Sequence, residues 1–174
     1  ELFFCGKIEE LMHLVDYPIL ASKATTHSIY FITKGQIFMG KNMFQHILKK
    51  GDCLVVPAYN ISSIEKINED TKGYFLNFSP DILNSRFISQ KETALFKFMM
   101  PYANSLFSNA STNDSIKFLF QRLDKEYLSY GLERPRLVVS YLVALLYELH
   151  SMDTTNSFNE SNQYQNITDT FKKH

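Results

Sequence analysis

Histidines are the first residues of this sequence that could do metal or acid–base chemistry, and there are five: His13, His27, His46, His150 and His174. A catalytic divalent metal needs about three protein ligands among His, Cys, Asp and Glu, and two of them often stand a few residues apart. These histidines form no such pair. The sequence also lacks the glycine-rich phosphate-binding motifs and the serine motif of hydrolases. Metal-dependent and nucleophilic catalysis are therefore not expected.

The two cysteines, Cys5 and Cys53, can form at most one disulfide. No secretion signal is visible at the start of the chain, so we expect two free thiols in a reducing cytoplasm rather than a bridge. Cys53 lies in an apolar strand pattern, where a small thiol is more typical of the core than of a nucleophile.

Charge is balanced along the whole chain. Eighteen basic and eighteen acidic side chains cancel, with eight of each sign in residues 1–80 and ten of each in residues 81–174. A surface that grips phosphates usually carries a basic excess, so direct nucleic-acid binding by these residues is not expected. The longest apolar stretch, residues 137–149, is too short to cross a bilayer.

These residues must be positioned by two kinds of element. In the first 80 residues, β-branched and aromatic runs alternate with turn residues every 8–12 positions, which predicts a sandwich or barrel. The predicted strands are 28–33, 36–39, 43–48, 53–56, 61–67 and 73–78.

After Pro80 the apolar period becomes helical. Caps at 113–115 and a terminating Gly131 predict a helix over 114–129, whose apolar face comprises Ile116, Leu119, Phe120, Leu123 and Tyr127. A second helix over 135–151 starts with Pro135 in its first turn. Residues 92–107 also suggest a helix, and residues 152–166 are polar and indicate a linker or frayed tail.

The segment from Gly51 to Ser62 resembles the second cupin motif, because Gly51 and Pro57 have the spacing of that motif. Ser62 stands where the motif has a metal-binding His, and Tyr59 replaces its usual Gly. In the first cupin motif, the metal-binding Glu would fall on Ser28 and the paired histidines among residues 22–24. The resemblance therefore implies a cupin-like barrel without a metal. A metal-free isomerase using His46 with Tyr30 or Tyr74 stays open.

The order of parts is similar to the N-terminal sensor half of AraC-family transcription regulators. In that family a cupin-like barrel precedes dimerisation helices, a linker and two helix-turn-helix units. The resemblance covers residues 10–174. It implies an α+β fold, a jelly-roll barrel with a C-terminal helical segment, that binds a small-molecule effector. It also implies a cytoplasmic homodimer that is not an enzyme, with DNA bound through a C-terminal domain that this chain lacks.

The predicted limits are 1–83 for the barrel, 84–151 for the helical segment and 152–174 for the linker and the start of the helix-turn-helix domain. Alternation along the strands places four polar side chains in the barrel lumen as ligand contacts: Ser28, Tyr30, Ser62 and Tyr74. The breadth of the second helix's apolar face admits two interpretations. Either the helix is sandwiched inside the fold, or it makes a dimer contact through Val138, Tyr141, Leu142, Leu145 and Leu149.

No metal or cofactor is expected. The alternative function is a stand-alone metal-free cupin, either a small-molecule-binding module or a sugar isomerase or epimerase. The four predicted lumenal side chains could also simply fill the barrel, because small barrels are commonly filled by their own side chains. This alternative to a ligand pocket stays open.

Overall fold

The structure, a computed structural model, describes residues 2–83, 86, 88–101, 103 and 105–172, with side chains described as far as Asp153. Its strands form two antiparallel sheets, ordered β1-β8-β3-β6-β9 in the first and β2-β7-β4-β5 in the second. The strands are β1 Phe3–Lys7, β2 Ile19–Lys23, β3 His27–Lys34, β4 Gln36–Lys41, β5 Phe44–Lys49, β6 Cys53–Val56, β7 Ile61–Ile67, β8 Lys72–Phe78 and β9 Leu106–Phe107.

All six predicted strands are present, and those over 53–56 and 61–67 have the predicted limits. The short strands β1, β2 and β9 were not predicted. The strand β2 lies at the edge of the second sheet with four of its five residues exposed, so its sequence lacks the alternation that marks a half-buried strand. Two antiparallel sheets with C-terminal helices agree with the predicted α+β class. Closure of the sheets into a barrel stays a prediction.

The first sheet is buried on both faces. Its inner face meets the second sheet, and together they enclose an inner core of Ile8, Ile32, Ile37, Met39, Leu48, Leu54 and Val56. Its outer face packs against the C-terminal helices in a larger outer core. The central strand β6 is consequently buried at every position, which explains its unbroken apolar run.

Four helices accompany the sheets: α1 Ile8–Leu11, α2 Gln90–Thr93, α3 Asp114–Tyr130 and α4 Pro135–Lys172. Asn113 caps α3, because its side chain accepts hydrogen bonds from the backbone N–H groups of Ser115 and Ile116. The predicted limits of α3 are confirmed within one residue, and α4 begins at Pro135 as predicted. Among the described helices, none combines the length and the apolar content needed to cross a bilayer.

Two helix predictions were wrong. The predicted helix over 92–107 is replaced by α2, a 3-10 turn at Lys97–Met99 and β9, because Ser105 accepts a hydrogen bond from the Val55 backbone and extends the first sheet. The helix predicted to end at 151 continues to Lys172. The polar composition after residue 151 does not stop the backbone from remaining helical. Residues 1, 84, 85, 87, 102, 104, 173 and 174 lie outside the described residues. The three predicted domain limits stay predictions.

Burial disfavours the assignment of the α4 residues to a dimer contact, which stays a prediction. Val138, Leu142, Leu145 and Leu149 have no exposed surface and belong to the outer core, and the half-buried Tyr141 accepts a hydrogen bond from Arg122 of α3 at 2.9 Å. On another side of α4, the Tyr147 ring lies 5.3 Å from the Phe96 ring. The sandwiched helix, the first of the two interpretations, is the one that the structure supports.

A buried histidine joins β3 to the connection between β6 and β7. His27 is 8% exposed, its Nδ1 accepts a hydrogen bond from the Ala58 backbone N–H at 2.9 Å, and its ring lies 5.3 Å from that of Phe78. Burial lowers the pKa of His27 to about 4. The folded chain therefore holds this imidazole neutral, whereas the unfolded chain protonates it near its ordinary pKa of about 6.5.

The second buried titratable group of interest is a lysine. Lys41, at the end of β4, is 5% exposed, and its Nζ donates to the Ala103 carbonyl oxygen at 3.1 Å. No carboxylate of the described residues pairs with it. Burial lowers the pKa of Lys41 to about 8. An ammonium that is buried with one neutral acceptor destabilises the folded chain.

Replacing His27 by Asn should remove part of the acid sensitivity, because an Asn Oδ1 can accept the Ala58 N–H without titrating. Below pH 6.5 the unfolded chain binds one more proton at this site, so stability falls as the pH falls. From pH 7 to pH 5 the natural chain should lose about 2 kcal/mol more than His27→Asn in urea unfolding. Equal losses in the two proteins would show that His27 titrates normally in the fold.

Replacing Lys41 by Met should stabilise the chain at pH 7 by about 1–2 kcal/mol, because an uncompensated charge leaves the core. Between pH 7 and 9.5 the natural chain should gain about 2 kcal/mol as the folded amine loses its proton first, and Lys41→Met should lack this gain. The exposed Lys66 on the adjacent strand supplies the control, Lys66→Met. The argument is contradicted if Lys41→Met lowers the free energy of unfolding at pH 7 while Lys66→Met leaves it unchanged.

Candidate functional site

A cavity of about 320 Å³ lies between the two sheets, beside the inner core. Side chains from both sheets, α1 and the segment that follows α1 form its walls, and none of them is charged. The lining residues are Phe4, Ile8, Leu11, Met12, Leu14, Val15, Tyr17, Ile19, Tyr30, Ile37, Ile64, Ile67 and Phe75. The cavity is therefore an apolar compartment whose polar side-chain groups are two phenol hydroxyls.

The pairing of the strands determines which side chains form the walls of the cavity. In the first sheet Tyr30 of β3 stands opposite Phe75 of β8, and their rings lie 5.0 Å apart. In the second sheet Ile37 of β4 stands opposite Ile67 of β7. Because neighbouring positions on a strand point to opposite faces, Tyr30 faces the cavity while Phe31 faces the outer core.

The segment from α1 to β2 forms the cover of the cavity. The helix α1 is fastened to β8, since the Glu9 carboxylate accepts a hydrogen bond from the Gly73 backbone N–H at 3.1 Å. Gly73 is required there because a Cβ would lie 2.0 Å from the Phe31 carbonyl oxygen. Beyond α1, Leu14 and Val15 line the cavity and yet are 75% and 47% exposed. The entrance is thus rimmed by apolar side chains that water still reaches.

Tyr30 carries the more informative polar group of the site. Its hydroxyl makes no hydrogen bond with any residue that the structure describes, and the half-buried side chain borders the open space of the cavity. Burial, with a smaller contribution from the neighbouring Tyr17, raises the pKa of Tyr30 to about 12. The group is therefore a neutral hydrogen-bond donor and acceptor at physiological pH, with its capacity unused.

The structure separates the four predicted ligand residues. Tyr30 lines the cavity. Ser28 shares the face of Tyr30 but lies farther along β3, where its hydroxyl accepts a hydrogen bond from Asn77 at 3.0 Å. Ser62 shares the face of Ile64 and stands opposite Lys41 on the neighbouring strand. These two serines lie on the lumenal side, at the end away from the cavity.

The lumenal position predicted for Tyr74 was wrong. Tyr74 lies on the outer face of the first sheet, where its ring stacks on Phe120 of α3 at 5.8 Å. Burial comes first, and the nearby Asp124 second, among the causes that raise its pKa. Phe75, its neighbour in β8, is the residue that lines the cavity. The strand pattern of β8 defined two faces correctly but did not say which one points inward.

Sequence reasoning missed the cover of the cavity. Eight of the thirteen lining residues precede β3, in a stretch where no strand was predicted. A usable signal was the apolar spacing of Ile8, Leu11, Met12 and Val15, which is helical, followed by Tyr17 and Ile19.

No group of three potential metal ligands occurs among the described side chains. Ser62, which the resemblance aligns with a motif ligand, is paired across β2 and β7 with Ser22, the first of the residues 22–24 among which it expects the histidine pair. The proposed pair of His46 with Tyr74 cannot form, because Tyr74 lies on the other side of the first sheet. Burial, and then Lys41, lowers the pKa of His46. That the chain is not an enzyme stays a prediction.

Both cysteines are free and buried, as expected. Burial is the main cause that raises the pKa of each thiol, with smaller contributions from Asp124 at Cys5 and from Asp52 at Cys53. Since the thiolate is the reactive form, neither residue is set up as a nucleophile.

No protein-family model matches the sequence, and no curated protein matches it. Among solved structures, the chain is similar to the cupin domain of Cnp3 from Schizosaccharomyces pombe, at 19% identity and a TM-score of 0.38, over 49% of this chain and 59% of that one. It is also similar to a predicted oxalate decarboxylase from Thermotoga maritima, at 21% identity and a TM-score of 0.33, over 45% and 66% of the two chains.

A third similar structure is a cupin-2 domain protein from Shewanella frigidimarina, at 16% identity and a TM-score of 0.31, over 42% of this chain and 66% of that one. The match therefore spans less than two thirds of each of these three chains. Structural neighbours of this protein thus include cupin domains, but TM-scores this low carry no argument about its activity.

Proposed function

We propose that this chain is a cupin-like module that binds a small molecule between its two sheets, and that it serves as the sensor half of an AraC-type transcription regulator. The observation that carries the binding claim is the uncharged cavity of about 320 Å³. Binding sites for small molecules are typically concave, mostly apolar and about 300–1,000 Å³ in volume. No metal takes part in this proposal.

An open cavity is informative because the rest of the inner core is closely packed. Ile32, Met39, Leu48 and Leu54 have no exposed surface. Protein interiors leave few voids larger than a water molecule, since side chains around a void lose contacts. A ligand that fills the cavity would restore those contacts and would cover the exposed Leu14 and Val15. This favours a binding site over a barrel filled by its own side chains.

The regulator part of the proposal is supported by the order of elements. Two sheets are followed by the paired helices α3 and α4, and α4 continues to Lys172. The balanced charge suits a module that leaves phosphate contacts to a separate DNA-binding domain. The proposal includes a cytoplasmic homodimer, whose interface would have to lie outside the buried α4 residues. A stand-alone metal-free cupin would contain the same cavity, so the two are separated by experiment.

The binding site is tested by filling it. Ile67→Trp places a larger ring at the wall of the cavity, whereas Ile47→Trp places the same ring on β5, where Ile47 is 58% exposed. The uncharged fluorophore 1-naphthylamine should bind the natural chain and Ile47→Trp alike, and bind Ile67→Trp at least about tenfold more weakly. The natural sequence has no tryptophan. The introduced indole therefore also reports whether each variant is folded, by the wavelength of its emission.

Unchanged binding to a folded Ile67→Trp would show that the probe does not occupy this cavity. If Ile67→Trp does not fold, Ile64→Phe, which adds less volume at the opposite end of the β7 wall, takes its place under the same criterion. Failure of the natural chain to bind any uncharged probe would overturn the proposed function.

The regulator assignment predicts that the reading frame continues past the codon for His174 into a domain with two helix-turn-helix units. It also predicts that the module sediments at twice its mass of 20.3 kDa. A stop codon within a few residues of that codon would overturn the regulator assignment and favour the stand-alone module. A monomer at the highest concentration measured would overturn the homodimer.

A further inference from the structure

We propose that the cavity selects an uncharged, largely hydrocarbon ligand of about a dozen non-hydrogen atoms that bears one hydrogen-bonding oxygen or nitrogen, and that Tyr30 binds this polar atom. This inference rests on the proposed function, since it names the class of molecule that the site takes. The class is defined by the size of the cavity, the absence of charge in its walls and the unused hydroxyl of Tyr30.

The size of the ligand is inferred from the volume of the cavity. At the packing density of protein interiors, a cavity of 320 Å³ accommodates about a dozen non-hydrogen atoms, which is the size of a two-ring aromatic or a terpenoid fragment. The walls add shape, because Tyr30 and Phe75 present ring faces on one side while Ile37, Ile64 and Ile67 present branched aliphatic groups on the other. A flat or ring-shaped apolar ligand fits between these two surfaces.

Charge is excluded by the walls. An anion or cation that enters an apolar site loses its hydration and must regain the energy from a partner of opposite charge. None of the thirteen lining residues carries a charge. The buried ammonium of Lys41 lies beyond Ser62, at the other end of the lumen, and donates to the Ala103 carbonyl oxygen. Carboxylates and phosphates therefore lack a partner, and sugars carry more hydroxyls than this site can satisfy.

One polar group of the ligand is expected because of Tyr30. A ligand that fills the cavity covers this hydroxyl, and covering it without a hydrogen bond would cost free energy. A ligand atom that accepts from it avoids this cost. Tyr30 lies in the middle of β3, on the central side of the first sheet, so the polar atom of the ligand points inward and its hydrocarbon part points to the rim at Leu14 and Val15. Tyr17 places a second hydroxyl at the same cavity.

Three compounds with one ring system separate the claims: naphthalene, 2-naphthol and the anion 2-naphthoate. Calorimetry or fluorescence at pH 7 should show that 2-naphthol binds the natural chain best. The anion 2-naphthoate should bind at least about tenfold more weakly than 2-naphthol. Tyr30→Phe should weaken 2-naphthol about fivefold and leave naphthalene unchanged, because it deletes one hydroxyl and keeps the ring. Tyr59→Phe is the control, since Tyr59 is 57% exposed and does not line the cavity.

The outcomes distinguish this inference from the proposed function. Equal or tighter binding of 2-naphthoate overturns the uncharged class, while binding in the cavity still stands. If Tyr30→Phe binds 2-naphthol with the affinity of the natural chain, the role of Tyr30 is overturned. Tyr17→Phe then shows whether the second hydroxyl has that role. If 1-naphthylamine binds in the cavity and the two uncharged compounds, naphthalene and 2-naphthol, do not, the assigned ligand class is wrong. If no uncharged probe binds, the proposed function fails.

Discussion

Burial of the first sheet on both faces is the constraint from which most of this structure follows. Its strands must offer apolar side chains to two cores at once, so β6 is apolar at every position and β3 alternates between two apolar sets. The outer face requires a cover, which α3 and α4 supply. The inner face is only partly filled by the second sheet, and the remaining space is the cavity.

The same constraint links the cavity to the helices. Tyr30 lines the cavity, and the next residue, Phe31, stacks on Phe120 of α3 with ring centres 5.0 Å apart and planes 13° apart. On the adjacent strand, Phe75 lines the cavity and Tyr74 stacks on the same Phe120. A displacement of β3 or β8 by a ligand therefore moves a ring that contacts α3 directly. In the proposed sensor, this double contact is the physical path from ligand to helix.

The sequence predicts local elements better than it predicts their partners. Strand limits such as those of β6 and β7 follow from Pro57 and from polar turns, which act over a few residues. The facing of Tyr74 depends on which side of β8 meets the second sheet, and because both faces of β8 are apolar its pattern does not decide this. The end of α4 was misjudged for another reason, since polar composition is only a weak signal for the end of a helix.

A comparison of the two ends of the lumen explains why an apolar ligand is the more natural occupant. At the end that holds Ser28 and Lys41, polar groups already have partners: Asn77 donates to Ser28 and to Thr26, and Lys41 donates to Ala103. At the other end the hydroxyl of Tyr30 has no described partner and the apolar walls enclose open space. Unused binding capacity is thus concentrated where the chain has no charge.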